Sequence, residues 1–253
     1  LAARGFAVFP HDPATAAWAA AARRVALPIV GSAPARAAWL RCAGTWFAGV
    51  DILPNAADGS VEGVPLAGPG VAAVRAPATW HAAQVSVVYP GYPQPREGES
   101  AGAARYRIRR DAAHVDGLIA DGPERRRYLR EPHAFILGLP LTQTDPEAAP
   151  LVAWAGSHRI MARAFATAFA GQPPDRWGEM DVTDIYRAAR SEVFATCARV
   201  PLPARPGQVV LLHRLTLHGI GPWAEGAAGP PEGRMVAYFR PELPDPAAWP
   251  RAD

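Results

Sequence analysis

The sequence predicts a mainly β protein with flanking helices, arranged as an antiparallel double-sheet jelly roll. Three observations predict it. Short β-type runs separated by Pro and Gly follow one another from Trp46 onward, helical segments gather at the front, and one further helical block interrupts the strands at about 159–200. The chain has 253 residues, 49% of them hydrophobic, which suffices for one large core. Its 28 prolines are spread along the chain and form no linker-like cluster. Residues 1–253 are therefore read as a single domain with a helical insertion at about 159–200.

Taken in order, Gly5 to Pro10 (GFAVFP) reads as a short strand ended by proline. Residues 13–25 are Ala-rich, with Trp18 and Val25 at helical spacing, and predict a helix; a second is expected over 34–42. Strands are expected at 46–53, 71–76, 80–89, 104–110, 133–142 and 150–155. Within 104–110 the run Arg105-Tyr106-Arg107-Ile108-Arg109 alternates as a half-buried strand does. Glu124 to Arg127 reads as a solvated turn or short helix face. Helices follow at 159–170 and 181–198, the second opened by Asp181 or Thr183 as cap, and strands return at 208–217 and 234–240.

Composition excludes several function classes. All 26 basic residues are Arg, so there is no phosphate-loop lysine, Schiff-base lysine or pyridoxal-phosphate anchor. The net charge is only +3. The arginines are scattered apart from Arg125, Arg126 and Arg127, so no nucleic-acid partner is expected. Two cysteines, Cys42 and Cys197, make neither a disulfide scaffold nor a four-thiolate zinc site, and free thiols fit a reducing compartment. No apolar run approaches the roughly 20 residues of a membrane span, and no export signal is visible. A cytoplasmic protein with no membrane partner is expected.

Three places carry chemistry. In His114-Val115-Asp116-Gly117 an extended backbone puts His114 and Asp116 on one side, where both can grip one ion. In the run from Gly207 to Gly219 an apolar strand ends at Leu217-His218-Gly219, as the chain leaves the sheet. His114, Asp116 and His218 together make a two-His, one-carboxylate set that leaves coordination positions open, as non-haem Fe(II) oxygen chemistry requires. His213 is the rival ligand; alternation puts it on the face opposite His218, and its place inside the strand favours packing. The third place is Arg234, at the start of Arg-Met-Val-Ala-Tyr-Phe-Arg. If 234–240 pairs with 208–217, Arg234 lies beside His218, where a guanidinium fork suits the far carboxylate of a keto acid chelating the metal. Arg240 shares its face but lies roughly 20 Å further along an extended strand, out of reach of the metal. His158 is expected to orient the turn before the following helix. Trp80, Gln84, Tyr106 and Trp154 are candidates for the pocket wall or the core.

This ordered set resembles the phytanoyl-CoA dioxygenase family of Fe(II)- and 2-oxoglutarate-dependent oxygenases. The resemblance runs from Gly5-Phe6-Ala7-Val8 through His114-Val115-Asp116, Pro150-Leu151 and Gly156-Ser157-His158 to Gly207, Leu217-His218-Gly219 and Arg234. It implies a double-stranded β-helix (cupin-like) core, Fe(II) held by His114, Asp116 and His218, and 2-oxoglutarate as cosubstrate held by Arg234. It also implies hydroxylation of a small-molecule substrate by dioxygen, with release of succinate and CO2. Halogenating relatives carry a small residue at the position of Asp116, so its presence implies hydroxylation, desaturation or ring closure. The chain departs from the family in having Ile220 where many members place Ser or Thr, in a longer gap between His218 and Arg234, and in the enlarged 159–200 segment. A cupin-type metal-dependent isomerase or hydrolase, or a non-catalytic metal-binding relative, is the alternative.

Overall fold

A computed structural model describes residues 1–252. The larger of its sheets runs, in spatial order, β1 (Phe6–Phe9), β10 (Val209–His213), β7 (Phe135–Pro140), β12 (Arg234–Phe239), β4 (Ala83–Val88), β3 (Trp46–Leu53) and β2 (Leu40–Arg41), each pair antiparallel. A smaller sheet runs β11 (His218–Ile220), β8 (Leu151–Trp154) and β9 (Arg199–Leu202), and an antiparallel bridge between His114 and His218 adds a rung beyond β11. From β4 onward the chain passes repeatedly between the sheets, and β10, β11 and β12 lie in the larger, the smaller and the larger in turn. That alternation winds the two sheets into a double-stranded β-helix.

Side-chain alternation decides what each face meets. Ile136, Val210 and Leu212 of the larger sheet pack inward on Leu151, Ala153 and Leu202 of the smaller. Their neighbours Leu137, Leu139, Leu211, Met235 and Ala237 face outward onto α1 (Pro13–Gly31), through Trp18, Ala19, Ala22 and Ala26. Small alanines let this helix lie close to the sheet, and the Asp12 carboxylate caps it by accepting the Thr15 N–H at 3.0 Å. α1 runs past the expected end at 25 because Ala26 and Val30 continue its buried stripe. α2 (Ala33–Trp39) follows directly. On the far side, Val152 and Trp154 face α5 (Ser157–Ala168) and α6 (Thr183–Thr196) through Met161, Phe165 and Val193. With both faces covered, the central strands carry apolar residues almost continuously.

Four expectations change. Residues 71–76 form no strand; Gly68 at φ +118 and Pro69 start a single helical turn, α3 (Pro69–Ala72). Residues 104–108 belong to α4 (Ala101–Ile108) and 109–110 to the turn after it; the N-cap Ser100 accepts the Ala103 N–H at 3.3 Å. The alternation there had no half-buried face to serve, since Tyr106 is 49% exposed and Ala104 is the buried residue of the helix. Around Glu124–Arg127 the chain makes a hairpin, β5 (Leu118–Asp121) with β6 (Arg126–Leu129), so Arg126 and Arg127 are strand residues, half-buried. Finally, 208–217 breaks after His213, where the Thr216 N–H returns to the His213 carbonyl at 2.8 Å, and β12 pairs with β4 and β7 instead of with this segment. β12 must lie across from β11, because the chain changes sheets between them.

Candidate metal centre

Val115 points outward into the cluster under α5 and α6, and its N–H donates to the Tyr186 hydroxyl at 3.1 Å. His114 and Asp116 therefore turn inward together. Opposite them, the backbones of His114 and His218 exchange two hydrogen bonds, of 2.8 and 3.0 Å. The chain turns sharply beside both ligands: Gly117 has φ +83, and a Cβ there would lie 2.1 Å from the Glu131 carbonyl oxygen. At Gly219 a Cβ would lie 2.0 Å from the Asp111 carbonyl oxygen. The outcome is a cluster in which one donor atom each from His114, Asp116 and His218 lie within 4.8 Å of one another.

The electrostatics suit a cation. Nδ1 of His114 lies 3.0 Å from the Ala112 carbonyl and Nδ1 of His218 lies 2.9 Å from the Thr216 carbonyl. A carbonyl only accepts, so each Nδ1 carries a proton and, in a neutral ring, Nε2 offers its lone pair. Both Nε2 atoms face Asp116 Oδ1, at 3.1 Å from His114 and 3.8 Å from His218. Burial pushes the His218 imidazole down to about 4, so it is neutral near pH 7. Burial also opposes the Asp116 charge, but a hydrogen bond from His114 in its protonated form, together with the nearby His218, His114 and Arg240, outweighs it and holds the carboxyl well below its ordinary range; a bound cation would take the place of that His114 proton. Two imidazole nitrogens and a carboxylate converging on one point are the donor set of a transition-metal site, and the carbonyls behind the rings are the usual outer partners of such ligands.

The two arginines that bracket β12, Arg234 at its start and Arg240 just after its end, are placed differently from expectation. Arg240 was expected to lie out of reach of the metal; its Nη1 is 3.6 Å from Asp116 Oδ2. Arg234 opens β12 beside Val88, and lines a separate cavity of about 230 Å³ with Thr144, Pro150 and Gln208. The direction of β12 explains this: the strand runs toward the triad, so Arg240, the residue that follows it, arrives there. Arg234 is 8% exposed and makes no side-chain hydrogen bond or ion pair among the described residues.

Two cavities meet at the triad. The inner one, about 230 Å³ between the sheets, is lined by all three candidate ligands and by Gln84, Tyr238 and Arg240. The outer one, about 390 Å³, shares His114, Asp116, Ile220 and Arg240 with it and opens under α4 and α6. Tyr106 does line this outer cavity, from a helix and not from a strand. Trp80 and Trp154 belong to the core clusters. His213 lies on the other side of the turn, its ring 5.1 Å from that of His158, and its Nδ1 accepts the Leu215 N–H. His158 Nε2 contacts the Ala2 carbonyl at 3.1 Å, away from the triad. Sequence reasoning missed Arg240 and Tyr238 as site residues. Their inward parity with Arg234 was legible; which end of the strand reaches the metal was not.

No protein-family model matches the chain, and no curated protein matches it. Among solved structures it is similar to SnoK, a non-heme alpha-ketoglutarate-dependent carbocyclase from nogalamycin biosynthesis, with 15% identity over 94% of this chain and 80% of that one and a TM-score of 0.46. It is also similar to EctD from S. alaskensis with bound Fe, at 17% identity, 94% and 72% coverage and TM-score 0.43. A third is AviO1 from Streptomyces viridochromogenes Tue57, at 16% identity, 95% and 91% coverage and TM-score 0.39. No helix among the described residues is long and apolar enough to cross a membrane.

Proposed function

We propose that the chain is an Fe(II)- and 2-oxoglutarate-dependent dioxygenase of the phytanoyl-CoA dioxygenase type, which hydroxylates a small-molecule substrate. The overall balance is substrate C–H plus O2 plus 2-oxoglutarate giving the alcohol, succinate and CO2. The observation that carries this reading is the convergence of two fixed Nε2 lone pairs and the Asp116 carboxylate at the mouth of a cavity between the sheets. Such a site binds a divalent ion through three ligands and leaves room for a chelating cosubstrate.

Iron, when bound, supplies the redox chemistry that couples dioxygen to decarboxylation of the keto acid. The chain supplies the rest. His114, Asp116 and His218 hold the ion, and the Ala112 and Thr216 carbonyls fix the ring orientation. Arg234, buried and without a carboxylate partner among the described residues, is assigned to the far carboxylate of 2-oxoglutarate. A second assignment has its own observation: Arg240, and not Arg234, lines the triad cavity. Ile220 sits where both cavities meet and keeps that wall apolar.

The test is an anaerobic titration with Fe(II) and then 2-oxoglutarate, followed by the visible charge-transfer absorption of the chelate. The band is expected in the wild type and is lost in His218→Ala and Asp116→Ala. Iron binding with no band would transfer the protein to the cupin-type isomerases and hydrolases, and no iron binding would remove the metal site altogether.

A further inference from the structure

We infer that the outer cavity receives a substrate whose bound end carries several negatively charged oxygens, a phosphate or a polycarboxylate, gripped by Arg110, Arg127 and Arg190. The inference rests on the oxygenase reading for the reaction and names the substrate class of the same site.

Arginine is the chain's only basic residue, so abundance alone could put some of it in any wall. The outer cavity exceeds that background: seven of its 21 lining residues are Arg, against 26 basic residues in 253 for the whole chain. The lining contains two carboxylates, Asp116 and Glu131. Asp116 is committed to the metal cluster, and Glu131 faces His133 at 3.2 Å. Arg107 is neutralised by Glu99 outside the lining, through contacts of 2.7 and 2.8 Å. Arg110, Arg127 and Arg190 have no carboxylate partner among the described residues.

Three separate elements deliver these arginines to one place. Arg110 follows α4, Arg127 lies in β6 and Arg190 lies in α6. Their planes are held by the fold. Arg110 stacks on Tyr106 at 4.2 Å and on Phe194 at 4.9 Å, Arg190 lies 5.5 Å from the same Phe194 ring, and Arg127 Nη1 donates to the Leu118 carbonyl at 2.9 Å. Fixing the planes leaves hydrogen-bonding capacity unused: Arg190 Nη2 donates to the Ala113 carbonyl at 3.0 Å, but Arg190 Nη1, Arg127 Nη2 and both Nη atoms of Arg110 have no hydrogen-bond partner among the described residues. Burial and the charges of Arg125, Arg190 and Arg96 push the Arg127 guanidinium below its ordinary value. Like charges gathered at this cost, in a half-enclosed space, are relieved by an anion with several acceptor oxygens, which one carboxylate cannot supply to three forks. Tyr106, Tyr186 and Leu118 offer the apolar wall for the remainder of the molecule, and His114 and Asp116 sit at its inner end.

The test is calorimetric titration of the metal-free protein, at low ionic strength, with inorganic phosphate and separately with citrate. Saturable binding of at least one is expected; tighter phosphate points to a phosphate ester, tighter citrate to a polycarboxylate. Arg127→Gln and Arg190→Gln each weaken it at least tenfold, whereas Arg163→Gln, in an exposed pair with Glu192, leaves it unchanged. No saturable binding of either anion, or binding unchanged in both variants, overturns the proposal. If the variants fail to fold, phenylglyoxal footprinting of the wild type decides: phosphate or citrate protects Arg110, Arg127 and Arg190 but not Arg163, and equal labelling overturns the proposal. The Fe(II)–2-oxoglutarate absorption is recorded on the same preparations. A band with no anion binding rejects this inference alone, and anion binding with no band rejects the oxygenase reading and leaves the anion site standing.

Discussion

Arg240 and Asp116 meet at 3.6 Å, the guanidinium Nη1 of the one facing the carboxylate Oδ2 of the other. The cation that strand spacing puts far from the metal is thus the one beside it, while Arg234 lies in the next cavity. If Arg234 holds the far carboxylate of 2-oxoglutarate, Arg234→Ala loses a charge-assisted contact of about 1.5–3 kcal/mol, or roughly 10–100-fold in cosubstrate affinity. Iron affinity stays unchanged. Anaerobic titration of both variants checks this, and a larger loss in Arg240→Ala than in Arg234→Ala would move the anchor to Arg240.

Gly219 and Gly117 each adjoin a ligand and tolerate no side chain. In Gly219→Ala the new Cβ meets the Asp111 carbonyl at 2.0 Å, backbone against backbone, and an overpacking cost of about 3 kcal/mol is expected. Gly117→Ala adds a left-handed φ to a clash with the Glu131 carbonyl, the backbone alone costing about 1–2 kcal/mol. Both variants should show a lower urea midpoint and weaker Fe(II) binding than Gly102→Ala, whose surroundings are open and whose backbone is not left-handed.

Asp111 is a structural support for His114. Asp111 and Ala112 both have left-handed φ, of 50° and 53°, and the Asp111 carboxylate accepts from Arg199 Nε at 2.6 Å and Nη2 at 2.8 Å. The carboxylate is buried while Arg199 is half-exposed, so in Asp111→Ala the freed guanidinium is resolvated by water. A destabilisation of about 1–3 kcal/mol is expected, with weaker iron binding because the Asp111 carbonyl also accepts the Ile220 N–H at 2.9 Å. A midpoint shift without an affinity change would separate the support from the site.

Acid should loosen the α4 region. The hydrogen bond from Arg107 holds the Glu99 carboxyl at about 2, below its ordinary 4.5. A depressed carboxyl stabilises the fold above its unfolded value, and the contribution disappears as pH falls from about 4.5 to about 2. Glu99→Gln should therefore be less stable than the wild type at neutral pH, and the gap should close across that window in urea titrations.

The jelly roll was legible because several core strands are short apolar runs bounded by Pro or Gly, and the His114/Asp116 pair because residues i and i+2 of an extended chain share a side. The separation of His218 from His213 comes instead from the turn after His213, with His218 opening β11. The segment 104–110 misled because its alternation of Arg with Tyr and Ile satisfies a strand template, while the Ser100 cap and Ala101–Ala104 set a helix. The position of Arg240 was not legible because it depends on which strand faces which across the barrel. That follows from the change of sheet between β11 and β12, a long-range fact with no local signature. The arginine cavity was hidden likewise, since Arg110, Arg127 and Arg190 are distant in sequence and converge only when β5–β6 and the helices fold over the mouth.

The paired peptide groups of His114 and His218 fix how an ion enters. Because each backbone both donates to and accepts from the other, the two imidazoles stand on one rung of a ladder built by folding. Loading is then docking onto a finished surface, not a folding event. Far-ultraviolet dichroism should be the same before and after iron is added, and the melting temperature should climb with free iron only as mass action dictates.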